Sequence, residues 1–106
     1  MKDQFKNLEI DINRLEQRFE MKVGEQVAFV NYVQRSDTIA LVHTEVPVSL
    51  QGQGVATAII EKVLRLVQKE GLQIFPPLCS AILIYVKRHP EWRPLFHISA
   101  IEGLEN

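Results

Sequence analysis

Hydrophobic and polar positions along the chain follow two rhythms. From Arg18 to Val23, Phe19, Met21 and Val23 alternate with Glu20 and Lys22, the period of a half-buried strand. Gln26–Arg35, with Val27, Ala28, Phe29, Val30, Tyr32 and Val33, reads as a second strand, and β-branched Thr38–Val46 as a third. Gly24-Glu25 and Ser36-Asp37 supply the turns, so these strands form an antiparallel meander. Upstream, Leu8, Ile10 and Ile12 alternate with Glu9 and Asp11, which predicts a further short strand. Asn13–Arg18 reads equally well as a helical turn, and Met1–Asn7 is expected to be a loose or disordered end. In the third strand Ile39, Leu41, His43 and Glu45 share one face, and Ala40, Val42, Thr44 and Val46 the other. Its first half is apolar on both faces, which predicts a central strand. Pro47 has no N–H and ends the ladder.

The second rhythm is helical. Ala56, Ile59, Ile60, Val63, Leu64 and Val67 form one apolar stripe over Val55–Glu70, with Thr57, Glu61, Lys62, Arg65, Gln68 and Lys69 opposite. Gly71 is placed to terminate this helix. Leu72–Phe75 reads as a short buried strand parallel to the third, completing a βαβ unit. Pro76-Pro77 stops it, Ser80–Arg88 predicts a second helix, and residues 91–106 read as a packed extended tail or a short final strand. The expected class is α/β (α+β): a mixed, mainly antiparallel sheet, a βαβ unit and two main helices. At 106 residues the whole chain, 1–106, is expected to be a single domain.

Composition removes several functions. Twelve basic and 13 acidic residues give a net charge of −1, with no basic run suited to nucleic acid or an anionic membrane. No apolar run approaches the ~18 residues that span a bilayer. The N-terminus lacks the apolar segment of a signal peptide, so a cytoplasmic protein is expected. The single cysteine, Cys79, excludes an internal disulfide, and His43, His89 and His97 are too scattered for a metal site.

The chemistry concentrates in Gln51-Gly52-Gln53-Gly54-Val55-Ala56, a glycine loop running from a strand into the helix N-terminus. Glycine lets backbone approach a ligand closely, and the first N–H groups of a helix have no internal partner. Together with the helix dipole they favour a phosphate. No Lys-Ser or Lys-Thr follows, and position 57 is Thr, so neither a P-loop nor G-x-G-x-x-G is present. A plain strand-to-helix turn is the competing explanation of this loop.

Gln51-x-x-Gly54-x-Ala56 resembles the Q/R-x-x-G-x-G/A pyrophosphate motif of the GCN5-related N-acetyltransferases. The order of meander, loop, helix and parallel strand is similar too. His43-Thr44-Glu45-Val46-Pro47 and Pro77-Leu78-Cys79-Ser80 look like the family's small Yjdj-type branch. The resemblance covers about residues 19–96. It implies acetyl-CoA as co-substrate, with its diphosphate on the amides of Gln51, Gly52, Gln53, Gly54, Val55 and Ala56. The same likeness puts the pantetheine arm along Glu45–Val48, with Val46 and Val48 as main-chain partners, since Pro47 cannot donate.

Cys79 is the candidate nucleophile, both because a helix N-terminus favours a thiolate and because the small branch carries a cysteine there. The alternative is a small buried hydrophobe. His43 is the candidate general base, or a strand histidine satisfied by a neighbour. Glu45 is either a proton acceptor or a solvated carboxylate. His89 and His97 have no evident partner, and Trp92 and Phe96 are expected to pack on the sheet. The expected activity is acyl transfer from coenzyme A to an unknown, amine acceptor, small molecule or protein. The competing readings are a non-catalytic acyl-CoA-binding or interaction module and a structural domain with a vestigial loop.

Overall fold

The structure, a computed structural model, describes residues 1–104. Strands β1 (Ile10–Asn13), β2 (Arg18–Val23), β3 (Gln26–Arg35), β4 (Thr38–Glu45) and β5 (Gln73–Ile74) form one sheet in sequence order. The first four are antiparallel, and β5 joins β4 in parallel through Thr38–Gln73 and Ile39–Ile74. This is the expected mixed, mainly antiparallel α/β fold, with β4, helix α2 (Val55–Lys69) and β5 as the βαβ unit and α3 (Ser80–Arg88) as the second main helix.

Alternation explains which face of the sheet is buried. Phe19 and Met21 of β2 lie opposite Val30 and Ala28 of β3, and all four are buried. Helix α2 covers this face with Val55, Ala58, Ile59, Ile60, Val63, Leu64 and Val67. The buried stripe takes in Val55 and Ala58 rather than Ala56, which sits half-buried towards α3. The helix ends as Gly71 suggested: Leu72 N–H bonds Val67 C=O at 3.2 Å, and Gly71 N–H bonds Gln68 C=O at 3.1 Å.

Four local expectations are corrected. Asn13–Arg18 is no helix: Asn13 and Arg18 pair as the ends of β1 and β2, and residues 14–17 are the turn between them, with Glu16 N–H donating to Asn13 Oδ1 at 3.0 Å. Residues 1–7 are not loose. Asp3–Lys6 forms a short helix, α1, whose Phe5 enters the core at 3% exposure. Lys62 Nζ fastens it by donating to Lys6 C=O at 3.1 Å. One apolar side chain in a polar run has no periodicity to betray it; the buried ring, the turn's own hydrogen bonds and the Lys62 bond together offset the cost of ordering the segment.

The third correction lies in β4. Tyr32 faces Leu41 and the next β3 residue, Asn31, faces His43, so Val42 is an extra residue in the strand. This bulge reverses the alternation beyond it. His43 and Glu45, opposite Asn31 and Phe29, therefore leave the face of Ile39 and Leu41, and Thr44, opposite buried Val30, joins it. The fourth concerns the tail. Pro90–Leu95 and Glu102–Leu104 are 3-10 turns and Ile98–Ile101 is a short helix, α4. The final strand shrinks to one bridge, Ile74 to Phe96. Positions 105 and 106 lie outside the described residues.

The outer face of the sheet carries polar pairs instead of a helix layer. Glu20 Oε2 accepts from Arg18 at 2.7 and 2.9 Å and from Asn13 at 3.0 Å, while the Arg18 guanidinium lies 4.2 Å from the Phe29 ring centre. Partial burial raises the Glu20 pKa, but the hydrogen bonds from Asn13 and Arg18 and the Arg18 charge outweigh it, leaving the carboxyl below its usual range.

Two outcomes test this description. Phe5→Ala should cost about 3 kcal/mol in urea unfolding; an unchanged midpoint would return residues 1–7 to a loose end. Glu20→Gln should cost about 0.5 kcal/mol at pH 7, an amount already discounted for solvent screening. Because the folded carboxyl has the lowered pKa, its contribution is present above the unfolded value of 4.5 and is lost as pH falls through the folded value. The difference between wild type and variant should therefore close in acid.

Candidate functional site

The site begins where β4 loses a neighbour. Phe75 N–H bonds Ile39 C=O at 2.9 Å, and Cys79 N–H bonds Leu41 C=O at 2.9 Å. Beyond Leu41 the chain turns away into α3, and β4 continues through His43, Thr44 and Glu45 paired with β3 alone. The result is a cleft with an open strand edge on one side and the start of α3 on the other. Its floor leads to the glycine loop.

The loop is shaped by its own side chains. Pro47 opens a 3-10 turn over Val48–Leu50, and Gln51 N–H closes it on Val48 C=O at 3.2 Å. Gln51 Nε2 reaches back to Val46 C=O at 3.2 Å, and Gln53 Nε2 to Ser49 C=O at 3.0 Å. Gln51 thus spends its amide and its side chain on the loop, a holding role in place of the amide donor expected of it. Helix α2 starts its ladder with Ala58 N–H on Gly54 C=O at 3.1 Å. Among the described residues, the N–H groups of Gly52 through Thr57 have no acceptor within the chain. Gly54, the N-cap, has no side chain to cap the helix, and no acidic residue lies in the first turn.

Gly52 and Gly54 stand at φ 79° and 86°, where a β-carbon is strained. The space about Gly52 is open, whereas the Lys2 side chain lies over Gly54, its Cε 3.4 Å from where a β-carbon would be. The structure thus brings together Gly52, Gln53, Gly54, Val55 and Ala56, and adds Thr57. Thr57 escaped the motif because its side chain is irrelevant; only its position in the first turn frees its N–H. Val46 and Val48 flank the loop, with Val48 84% exposed. Beside it, Ala56, Thr57, Ala81, Ile84 and Arg88 line a groove of about 260 Å³ between α2 and α3.

Cys79 and His43 are not brought together. Cys79 is the N-cap of α3, half-buried, with Sγ 3.1 Å from Thr44 Oγ1. His43 is on the opposite face of β4, where Nε2 lies 2.9 Å from Glu45 Oε1. An ionised carboxylate only accepts, so in the neutral ring Nε2 carries the proton and Nδ1 is left as an acceptor. Thr44 was missed because unbroken alternation puts it on the wrong face. The other histidines have structural partners: His89 stacks on Tyr85 at 4.3 Å, and His97 stacks on Phe75 at 4.2 Å while capping α4 through Ser99 N–H. Burial, followed by the Glu61 charge, raises the Tyr85 pKa, and its hydroxyl donates to Glu61 at 3.4 Å across α2 and α3. Trp92 lies beside α2, with Arg65 5.9 Å from its ring centre.

An open-edged β4, a glycine loop of uncommitted amides and the start of α2 behind it meet at one place in the fold. Residues 18–95 match the GCN5-related N-acetyl-transferase family, and the chain belongs to that family. Its fold is similar to the solution structure of a GCN5-like protein from Staphylococcus aureus, with a TM-score of 0.63 and 24% identity over 87% of this chain and 90% of that one.

Replacing either loop glycine by alanine should destabilise the protein by about 1 kcal/mol through left-handed strain alone. Urea unfolding of Gly52→Ala and Gly54→Ala without ligand checks this. Equal stability of both variants with wild type would mean that the loop relaxes to ordinary φ.

Proposed function

We propose that the protein is an acetyl-CoA-dependent N-acetyltransferase. The observation that carries this reading is the run of uncommitted amides from Gly52 to Thr57 in a chain of this family. Those donors and the helix dipole suit the coenzyme A diphosphate. The groove between α2 and α3 suits its nucleotide end, with Ile84 for the base and Arg88 for a phosphate. The open β4 edge from His43 to Val46 suits the amide-bearing pantetheine arm, which can pair with it as an added strand.

The bound thioester would supply the acetyl group at the head of the cleft, where Thr44 and Cys79 meet. An acceptor amine approaching from the outer face meets Glu45, which attracts its ammonium form, and His43, whose Nδ1 can take a proton directly or through water. The new C–N bond forms as the C–S bond breaks, coenzyme A leaves as its thiolate, and the amine proton passes to His43. The separation of Cys79 from His43 favours direct transfer over an acyl-cysteine route, since among the described residues the thiol's hydrogen-bond partner is the Thr44 hydroxyl and not a base. The same separation keeps one second reading in play, a domain that binds acyl-CoA without turnover.

Calorimetry with acetyl-CoA, followed by thiol release against a panel of amines, tests the proposal. Binding with amine-dependent release that survives in Cys79→Ala and falls at least tenfold in His43→Ala is the expected result. Binding without release for any amine would favour the binding module. No heat and no rise in melting temperature would overturn both.

A further inference from the structure

We infer that Lys2, outside the residues that match the family, is a binding residue for the diphosphate of coenzyme A; the inference rests on the function proposed above. Its side chain lies over Gly54, with Cδ, Cε and Nζ at 3.5, 3.4 and 3.8 Å from the position of a β-carbon. Gly54 is the N-cap of α2, so the ammonium stands at the positive end of that helix, beside the uncommitted amides.

The Lys2 side chain is exposed, but the backbone that carries it is held in place. Phe5, three residues on, is buried in the core, and Lys62 Nζ holds Lys6 C=O. Phe5 N–H closes the first turn of α1 on Lys2 C=O at 3.0 Å, which fixes the backbone from which the lysine extends. Gly54 presents no β-carbon, and the aliphatic stem of Lys2 fills that space.

The electrostatics run against such a contact in the chain alone. A cation is unfavourable at a helix N-terminus, where an anion is favoured. Among the described residues no carboxylate pairs with Lys2, and the first turn of α2 carries no acid. A diphosphate between the ammonium and the amides satisfies both, by charge-assisted hydrogen bonds from two directions. The motif contains no lysine or arginine, so Lys2 supplies the cation that Gln51-Gly52-Gln53-Gly54 lacks.

The test uses the full chain with coenzyme A and 3′-dephospho-coenzyme A in calorimetry. Lys2→Met keeps the stem over Gly54 and removes the charge, and Lys2→Arg keeps both. Lys2→Met should weaken both ligands by about the same factor, roughly tenfold at low salt. Lys2→Arg should stay close to wild type, and the gap between wild type and Lys2→Met should narrow as KCl is raised. Unchanged affinity in Lys2→Met, with wild type binding normally, would overturn this inference and leave the proposed function standing. A loss confined to coenzyme A would also overturn it, by assigning Lys2 to the 3′-phosphate. Failure of wild type to bind either ligand would overturn the proposed function itself.

Discussion

The site depends on β4 having two neighbours over its first half and one over its second. Through Ile39 and Leu41 its outer carbonyls are bonded by Phe75 and Cys79. Past Leu41 the bulge at Val42 and the departure of the chain into α3 leave polar backbone groups on an open edge. An exposed strand edge is a template for pairing, and proteins keep one only briefly or for use. This edge is short, and Pro47 ends it. Thr44, Cys79, His43 and Glu45 lie at the parting, and the glycine loop follows a few residues on.

The bulge also sorts the side chains. Without it, His43 and Glu45 would turn to the buried face that carries Val30, and two ionisable groups would need burial there. Desolvating them there costs far more than one irregular strand residue. With it, they pair in solvent on the outer face, and Thr44 takes the inner position, where its hydroxyl is satisfied by Cys79. The same event that keeps the core apolar puts Thr44 and Cys79 on one side of β4 and His43 and Glu45 on the other.

Much of the fold is legible in the sequence because strands and helices repeat. The alternation in Arg18–Val23 and the stripe from Ile59 to Val67 each contain several agreeing positions, and those elements stand where the pattern puts them. What periodicity cannot carry is a single event. One inserted residue at Val42 leaves composition unchanged and inverts every face after it. One phenylalanine at position 5 has no repeat to join, yet it anchors an N-terminal segment. The short tail elements rest on individual bonds, such as His97 N–H to Ile74 C=O at 2.7 Å, which leave no pattern at all. The glycine loop was readable for the opposite reason, since positive φ restricts which residues can stand at 52 and 54.

A cradle made of backbone amides asks little of side chains, and this shapes what the chain can vary. Gly52 and Gly54 are required by conformation, and Gln51 and Gln53 by the bonds that hold the turn. Val55 and Ala56 are required only as helix, so the donors survive any residue that keeps the first turn. The outer face works differently. There Arg18, Glu20, Phe29, His43 and Glu45 interact through their own charges and rings, and each exchange alters that surface. Family membership is therefore written in the loop and the order of elements, while the outer face of the sheet is written in individual side chains.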